Sequence, residues 1–222
     1  MSPGFLQRLG QQEDLNFFLT NYLPRRWLTR AVGRLSRIEQ PLLVRAALWL
    51  WQRFAGPLDL SDAREREFRS LHACFIRELA AGARPVAADP AIITSPCDAV
   101  VGAHGRIDGD LLLQVKGSPY SLADLLADDD LARRLDGGLF VTLRLRSTMY
   151  HRFHAPADCR IRRAHYIAGD VWNVNPVTLR RVPALFCRNE RAVLPLELDD
   201  PALELVLVPV AAILVASMRI HC

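Results

Sequence analysis

Lysine is nearly absent from this 222-residue chain, where one lysine (Lys116) stands against 27 arginines. The formal net charge is +4. That excess is too small to point to nucleic acid, which is not expected as a partner, and it fits an anionic membrane surface slightly better. Also missing is any run of about 18 uncharged apolar residues, so no spanning helix is expected. The five cysteines, Cys74, Cys97, Cys159, Cys187 and Cys222, are odd in number and contain no C-x-x-C pair. This argues against a disulfide framework and for a reducing cytosolic setting. The opening MSPGFLQRLGQQEDLNFF has acidic residues where a secretory leader carries basic and then apolar ones, so retention inside the cell is expected. What is present is a globular composition, 50% hydrophobic and 23% charged, long enough for one or two domains.

Composition shifts near residue 57. Residues 24–56 hold seven arginines and one acidic residue among Trp27, Trp49, Trp51, Phe54 and aliphatics. Pro24 and Pro41 suit helix starts and predict helices over 24–38 and 41–55. The second is apolar around most of its circumference but too short to span a bilayer. Two readings stay open: the pair lies in a membrane interface, or it packs as an arginine-decorated hairpin on its own domain. An amphipathic helix is predicted next, capped by Ser61 or Asp62, with Phe68, Leu71, Phe75, Ile76 and Leu79 on one side and Gly82 and Pro85 at its end. His72 and Cys74 within it read as packing or surface residues.

From about residue 92 the apolar period changes from helical to two. AVVGAHGRI and DLLLQVKG flank Asp108-Gly109, which predicts a tight hairpin. Ser121 caps a predicted helix reaching Leu135, and Gly137-Gly138 turns the chain into LFVTLRLR. There Leu139, Val141, Leu143 and Leu145 fall on one side, with Thr142, Arg144 and Arg146 on the other. CRIRRAHYI, LFCRNERAVLPLEL and ALELVLVPVAAILVASMRI are further strand candidates, with edges or bulges at Pro195 and Pro209. The fold class is therefore α+β: an N-terminal helical region, 1–57, followed by a mainly antiparallel β domain, 58–222.

Tyr150-His151-Arg152-Phe153-His154 is the densest polar cluster. An H-x-x-H pair lacks a third metal ligand with recognisable spacing, and on an extended segment the two rings point to opposite faces, so no metal is expected. Imidazoles beside Tyr and Arg at a strand end suit acid–base chemistry, since they titrate near neutrality.

Several segments together, and in the same order, resemble the phosphatidylserine decarboxylase family: NYLPRRWLTRAVGRL, FIRELAAGARP, SPCDAVVG, VKGSPYSLADLL, YHRFHAP, AGDVWNVNP and LFCRNERAV. The resemblance implies a decarboxylase that acts through a covalent pyruvoyl group, forming a Schiff base with phosphatidylserine or a related aminophospholipid and yielding phosphatidylethanolamine and carbon dioxide in phospholipid biosynthesis. It implies a zymogen that cuts itself before a serine, leaving a pyruvoyl-bearing α chain as partner, and a homodimer. It also implies peripheral association of the N-terminal helices with the cytoplasmic face of the cell membrane. By the same resemblance Asp98 matches the processing aspartate, His154 the base it serves, and His151 a residue beside the phospholipid head group. An aspartate that fixes an imidazole's tautomer and stabilises its cation is what such a base requires.

The resemblance also implies a cleavage motif that is not found in the sequence. Gly117-Ser118 is the one Gly-Ser pair, and it belongs to the VKG element. The expectation is a chain truncated before the pyruvoyl-forming serine, with an inactive membrane-associated paralogue that only binds head groups as the alternative. Lys116 is not expected to substitute, since a lysine imine lacks the pyruvoyl carbonyl. Ala99, Ala211 and Ala216 stand where the family has glycine, and if those glycines serve positive φ or close backbone approach, strain is expected there.

Overall fold

A computed structural model describes residues 17, 24–89, 91–113, 119–200 and 203–221. Lys116, Gly117-Ser118 and Cys222 lie outside the described residues. Helix α1 is Arg25–Leu35 and α2 is Pro41–Ala55, and both match the helices expected from Pro24 and Pro41. The described residues group into two compact units that interleave along the chain, one holding 31–100 and 143–158, the other 17, 24–30, 101–142 and 159–221. Among the described residues no helix is long and apolar enough to cross a membrane.

In the first unit, α2 starts on Pro41 and ends at Gly56, whose N–H donates to Gln52 O at 3.1 Å and whose φ of 98° turns the chain out of the helix. Val44 is the one buried residue of α2. Leu42, Trp49 and Phe54 remain 73%, 65% and 61% exposed, so burial within this chain does not explain their apolarity. The long amphipathic helix expected after Ser61 is not formed. Helix α3 spans only Leu71–Phe75, and its cap is Ser70, whose hydroxyl accepts from Ala73 N at 3.0 Å. The reason lies in backbone pairing: Arg64 N donates to Glu78 O at 2.9 Å and Ala80 N to Asp62 O at 2.8 Å. These sheet-like bonds occupy the groups that a helix over 61–80 would have paired internally.

In the second unit, β1 (Val100–Arg106) pairs with β4 (Leu139–Arg144), while β2 (Leu111–Leu113) pairs with β3 (Pro119–Ser121). The expected turn at Asp108-Gly109 forms, with Gly109 at φ 59° and Leu111 N donating to Asp108 O at 3.1 Å, but among the described residues β1 and β2 on either side of it pair with β4 and β3. Ile107 N instead donates to Gly138 O and Gly137 N to Ile107 O, which directs the chain toward β4. The helix after Ser121 forms with its predicted cap but breaks in two. Helix α4 (Leu122–Leu126) ends on Ala127 at φ 51°, and Asp128 caps α5 (Asp129–Arg134) by accepting from Leu131 N at 2.9 Å. The alternation in β4 is real, yet Phe140 packs on the core while Leu139 and Val141 are 77% and 54% exposed.

The main sheet is built on β7 (Arg191–Leu198), which pairs antiparallel with β5 (Cys159–Ile161), β6 (His165–Ile167) and β8 (Glu204–Leu207). Pairing with β6 ends at Val193 and pairing with β5 begins at Leu196, so Pro195 falls where that ladder is interrupted. The expected strand over 185–198 starts late, because Leu185–Arg188 forms the short helix α7 after α6 (Pro176–Arg181). Leu126, Leu131 and Val193, each 1% exposed, centre the core. Ala99, Ala211 and Ala216 are not among the residues at positive φ, so backbone strain of that kind is absent from them. Leu214 and Ser217 hold φ 64° and 66° instead.

Candidate functional site

Two segments of the first unit carry the three candidate residues, and backbone hydrogen bonds hold them side by side. Thr94 N and Oγ1 both donate to Pro156 O at 2.8 Å, and His154 N donates to Pro96 O at 2.7 Å. This clamp sets residues 94–98 against 150–156, which brings Asp98 and His154 into electrostatic reach of each other. Arg152 fastens the second segment at another point, with Nε on Ile76 O at 2.9 Å and Nη1 on Glu78 at 3.1 Å.

Asp98 makes its hydrogen bonds to Arg84. The guanidinium grips both carboxylate oxygens, Nε to Oδ1 at 2.9 Å and Nη2 to Oδ2 at 2.7 Å. Arg84 Nη1 also donates to Asp62 at 2.8 Å. Such two-pronged contact is the strong form of the pair. It holds the Asp98 carboxyl below the usual carboxylate range, a shift that burial opposes and to which Arg77 and His154 add. Among the described residues Asp98 and His154 share no hydrogen bond.

The two histidines face different neighbours. His154 is exposed, and its Nε2 lies 2.8 Å from the hydroxyl of Tyr150, the rings stacked at 5.6 Å. His151 is part-buried, with its ring 4.0 Å from that of Phe75, which in turn lies 6.1 Å from Trp51 of α2. Its Nδ1–H donates to Met149 O at 2.9 Å, so Nε2 carries the lone pair in the neutral ring. Burial pushes the His151 pKa below its ordinary value; the bond to Met149 opposes the shift. Tyr150 and His154 stand four residues apart with His151 between them, which is the alternation expected of an extended segment.

A cavity of about 210 Å³ opens beside this cluster, lined by Asp59, Asp62, Arg77, Arg84, Asp98 and Tyr150 among others. Arg77, 6% exposed, donates to the carbonyls of Cys74 and Thr148 at 3.3 and 3.4 Å. Sequence reasoning gave no role to Arg77 or Arg84 and read Asp62 only as a candidate helix cap. The available signal was two arginines inside FIRELAAGARP, a segment read as a helix end and as part of the family resemblance. Among the described residues no group of three or more His, Cys, Asp or Glu is arranged to hold a metal.

Residues 71–222 match the family model for phosphatidylserine decarboxylase. A phosphatidylserine decarboxylase proenzyme of Vibrio campbellii is 39% identical over 178 residues, covering 79% of this chain and 62% of that protein. One from Anaeromyxobacter sp. (strain K) is 40% identical over 177 residues, with the same coverage of each chain. Another, from Aliivibrio fischeri, is 38% identical over 184 residues, 82% of this chain and 64% of that protein. This chain thus spans a little under two thirds of the length of these curated relatives. Ordered motifs, a clamped Asp–His neighbourhood and a match over 71–222 agree, and the chain belongs to the phosphatidylserine decarboxylase family.

Proposed function

We propose that the chain is a phosphatidylserine decarboxylase polypeptide, converting phosphatidylserine to phosphatidylethanolamine and carbon dioxide in phospholipid biosynthesis. Family membership over the segments that position Asp98, His151 and His154 carries this reading. The cavity chemistry suits the pyruvoyl group of such enzymes: the Arg77 guanidinium offers donors for carbonyl oxygens beside an ionised carboxylate. When present, that group supplies the electron sink for loss of carbon dioxide.

Within this chain, His154 acts as the base of self-cleavage, and Asp98, kept ionised by Arg84, stabilises the imidazolium that results. His151 meets the head group through Nε2, as an acceptor while neutral and a donor once protonated. Helix α2 seats the protein on the cytoplasmic face of an anionic membrane. Supporting this are its exposed Leu42, Trp49 and Phe54, the basic Arg45 and Arg53, and an apolar cavity of about 240 Å³ lined by Val32, Leu35, Leu43, Val44 and Leu71. A pyruvoyl-bearing α chain and a second copy of the protein complete the assembly.

The deciding experiment co-expresses this chain with the pyruvoyl-bearing α chain of a relative and measures carbon dioxide released from carboxyl-labelled phosphatidylserine in vesicles. Release that is lost in His151→Ala supports the reading. A stable two-chain complex that releases none overturns it.

A further inference from the structure

Tyr150 has two neighbours that no other residue of the site shares. It is 6% exposed and lines the 210 Å³ cavity beside Asp98, and its hydroxyl lies 2.8 Å from Nε2 of His154. His154 itself is exposed and is not part of the cavity wall. A buried phenol O–H left without an acceptor is costly, and among the described residues its partner is that ring nitrogen. The O–H therefore donates, Nε2 accepts, and the ring proton belongs on Nδ1. The near-parallel stacking of the two rings, 13° apart, holds the hydroxyl in the imidazole's reach.

We infer that Tyr150 is a positioning residue for His154, fixing the Nδ1–H tautomer and linking Nε2 to the cavity through its hydroxyl. The inference rests on the reading of His154 as a base and says how that base reaches a group it does not touch. A proton leaving an alcohol or ammonium group in the cavity arrives on the Tyr150 oxygen as the phenol's own proton passes to Nε2. Tyr150 ends as it began, the cavity group has lost one proton, and His154 has become the imidazolium. Asp98 stands ionised nearby to stabilise that cation.

The test is nitrogen-15 NMR of the histidine-labelled full chain at pH 8, alone and as Tyr150→Phe. Wild type is expected to show His154 with Nδ1 protonated and Nε2 as an acceptor. Tyr150→Phe keeps the stacked ring but removes the donor. It is expected to change the tautomer ratio roughly fivefold, the equivalent of about 1 kcal/mol for one hydrogen bond, with His151 unmoved. A wild-type ring protonated on Nε2 overturns the inference, and so does a folded Tyr150→Phe variant with both His154 nitrogens unchanged. Should the variant not fold, the wild-type assignment decides by itself. Because no turnover is measured, failure here is separable from failure of the decarboxylation assay.

Discussion

Replacing Arg84 by alanine removes four side-chain hydrogen bonds at once, two to Asp98, one to Asp62 and one to the Ala83 carbonyl. The side chains of Arg84 and Asp98 are 45% and 30% exposed, so solvent screens the pair and its worth falls within the range of exposed ion pairs. Two-pronged geometry puts it near the top of that range, about 1 kcal/mol. A double-mutant cycle of Arg84→Ala and Asp98→Asn, read by urea denaturation at pH 7, should therefore give a coupling of about 1 kcal/mol. The pH dependence has a fixed sign. The folded carboxyl of Asp98 titrates below its unfolded value of about 3.9, so the coupling is fully present above pH ~4. It is lost as pH falls through the lower folded value, where Asp98 protonates. No coupling at pH 7, or a coupling that persists undiminished after Asp98 is protonated, would refute the account of Arg84 as the group that keeps Asp98 charged.

Asn189 is 0% exposed, accepting from Trp172 N at 2.8 Å and donating to Trp172 O and Ala211 O at 3.0 and 2.8 Å. Asn189→Leu strands those backbone groups and should cost about 3 kcal/mol in urea denaturation. Gly169→Ala would put Cβ 2.5 Å from the Asn189 carbonyl carbon and Glu190 N, both backbone, so soluble yield or Tm should fall sharply. His151 binds its proton less readily folded than unfolded, so its contribution to stability should shrink as pH drops below about 6.5. His151→Gln should flatten that part of a stability–pH curve; an unchanged slope assigns it to another group. Trp49→Ser with Phe54→Ser should weaken sedimentation with anionic vesicles at least tenfold without moving Tm, since both side chains are exposed and together bury well over 1.4 kcal/mol of apolar surface in a bilayer.

Features that a few neighbouring residues decide were legible in the sequence. Pro41 and Gly56 bound α2, and the hydroxyl of Ser121 caps α4, because each signal acts within one helical turn. The apolar spacing over 61–80 misled, since periodicity cannot reveal that 62–64 will pair with 78–80 across the intervening chain. The turn at Asp108-Gly109 was equally local, whereas the partner of β1 was settled by Ile107 meeting Gly137 and Gly138. The same division runs through the site. Tyr150, His151 and His154 were visible as a cluster, but the grip of Arg84 on Asp98 joins a loop to a segment 14 residues on, and no spacing rule announces it.

What makes the Asp98–His154 neighbourhood is a pair of prolines acting as acceptors. Pro96 O takes His154 N, and Pro156 O takes both donors of Thr94. Proline has no N–H to offer and disfavours a helical residue before it, so each keeps its own segment extended while its carbonyl remains free for the other. The two segments cross-link through the one group a proline still has. Asp98 then follows Pro96 by two residues and His154 precedes Pro156 by two, which puts both side chains at the clamp. The motifs SPCD and FHAP thus specify geometry as well as residue type: the prolines set Asp98 and His154 side by side, where Arg84 grips the carboxylate and the Tyr150 hydroxyl meets the imidazole.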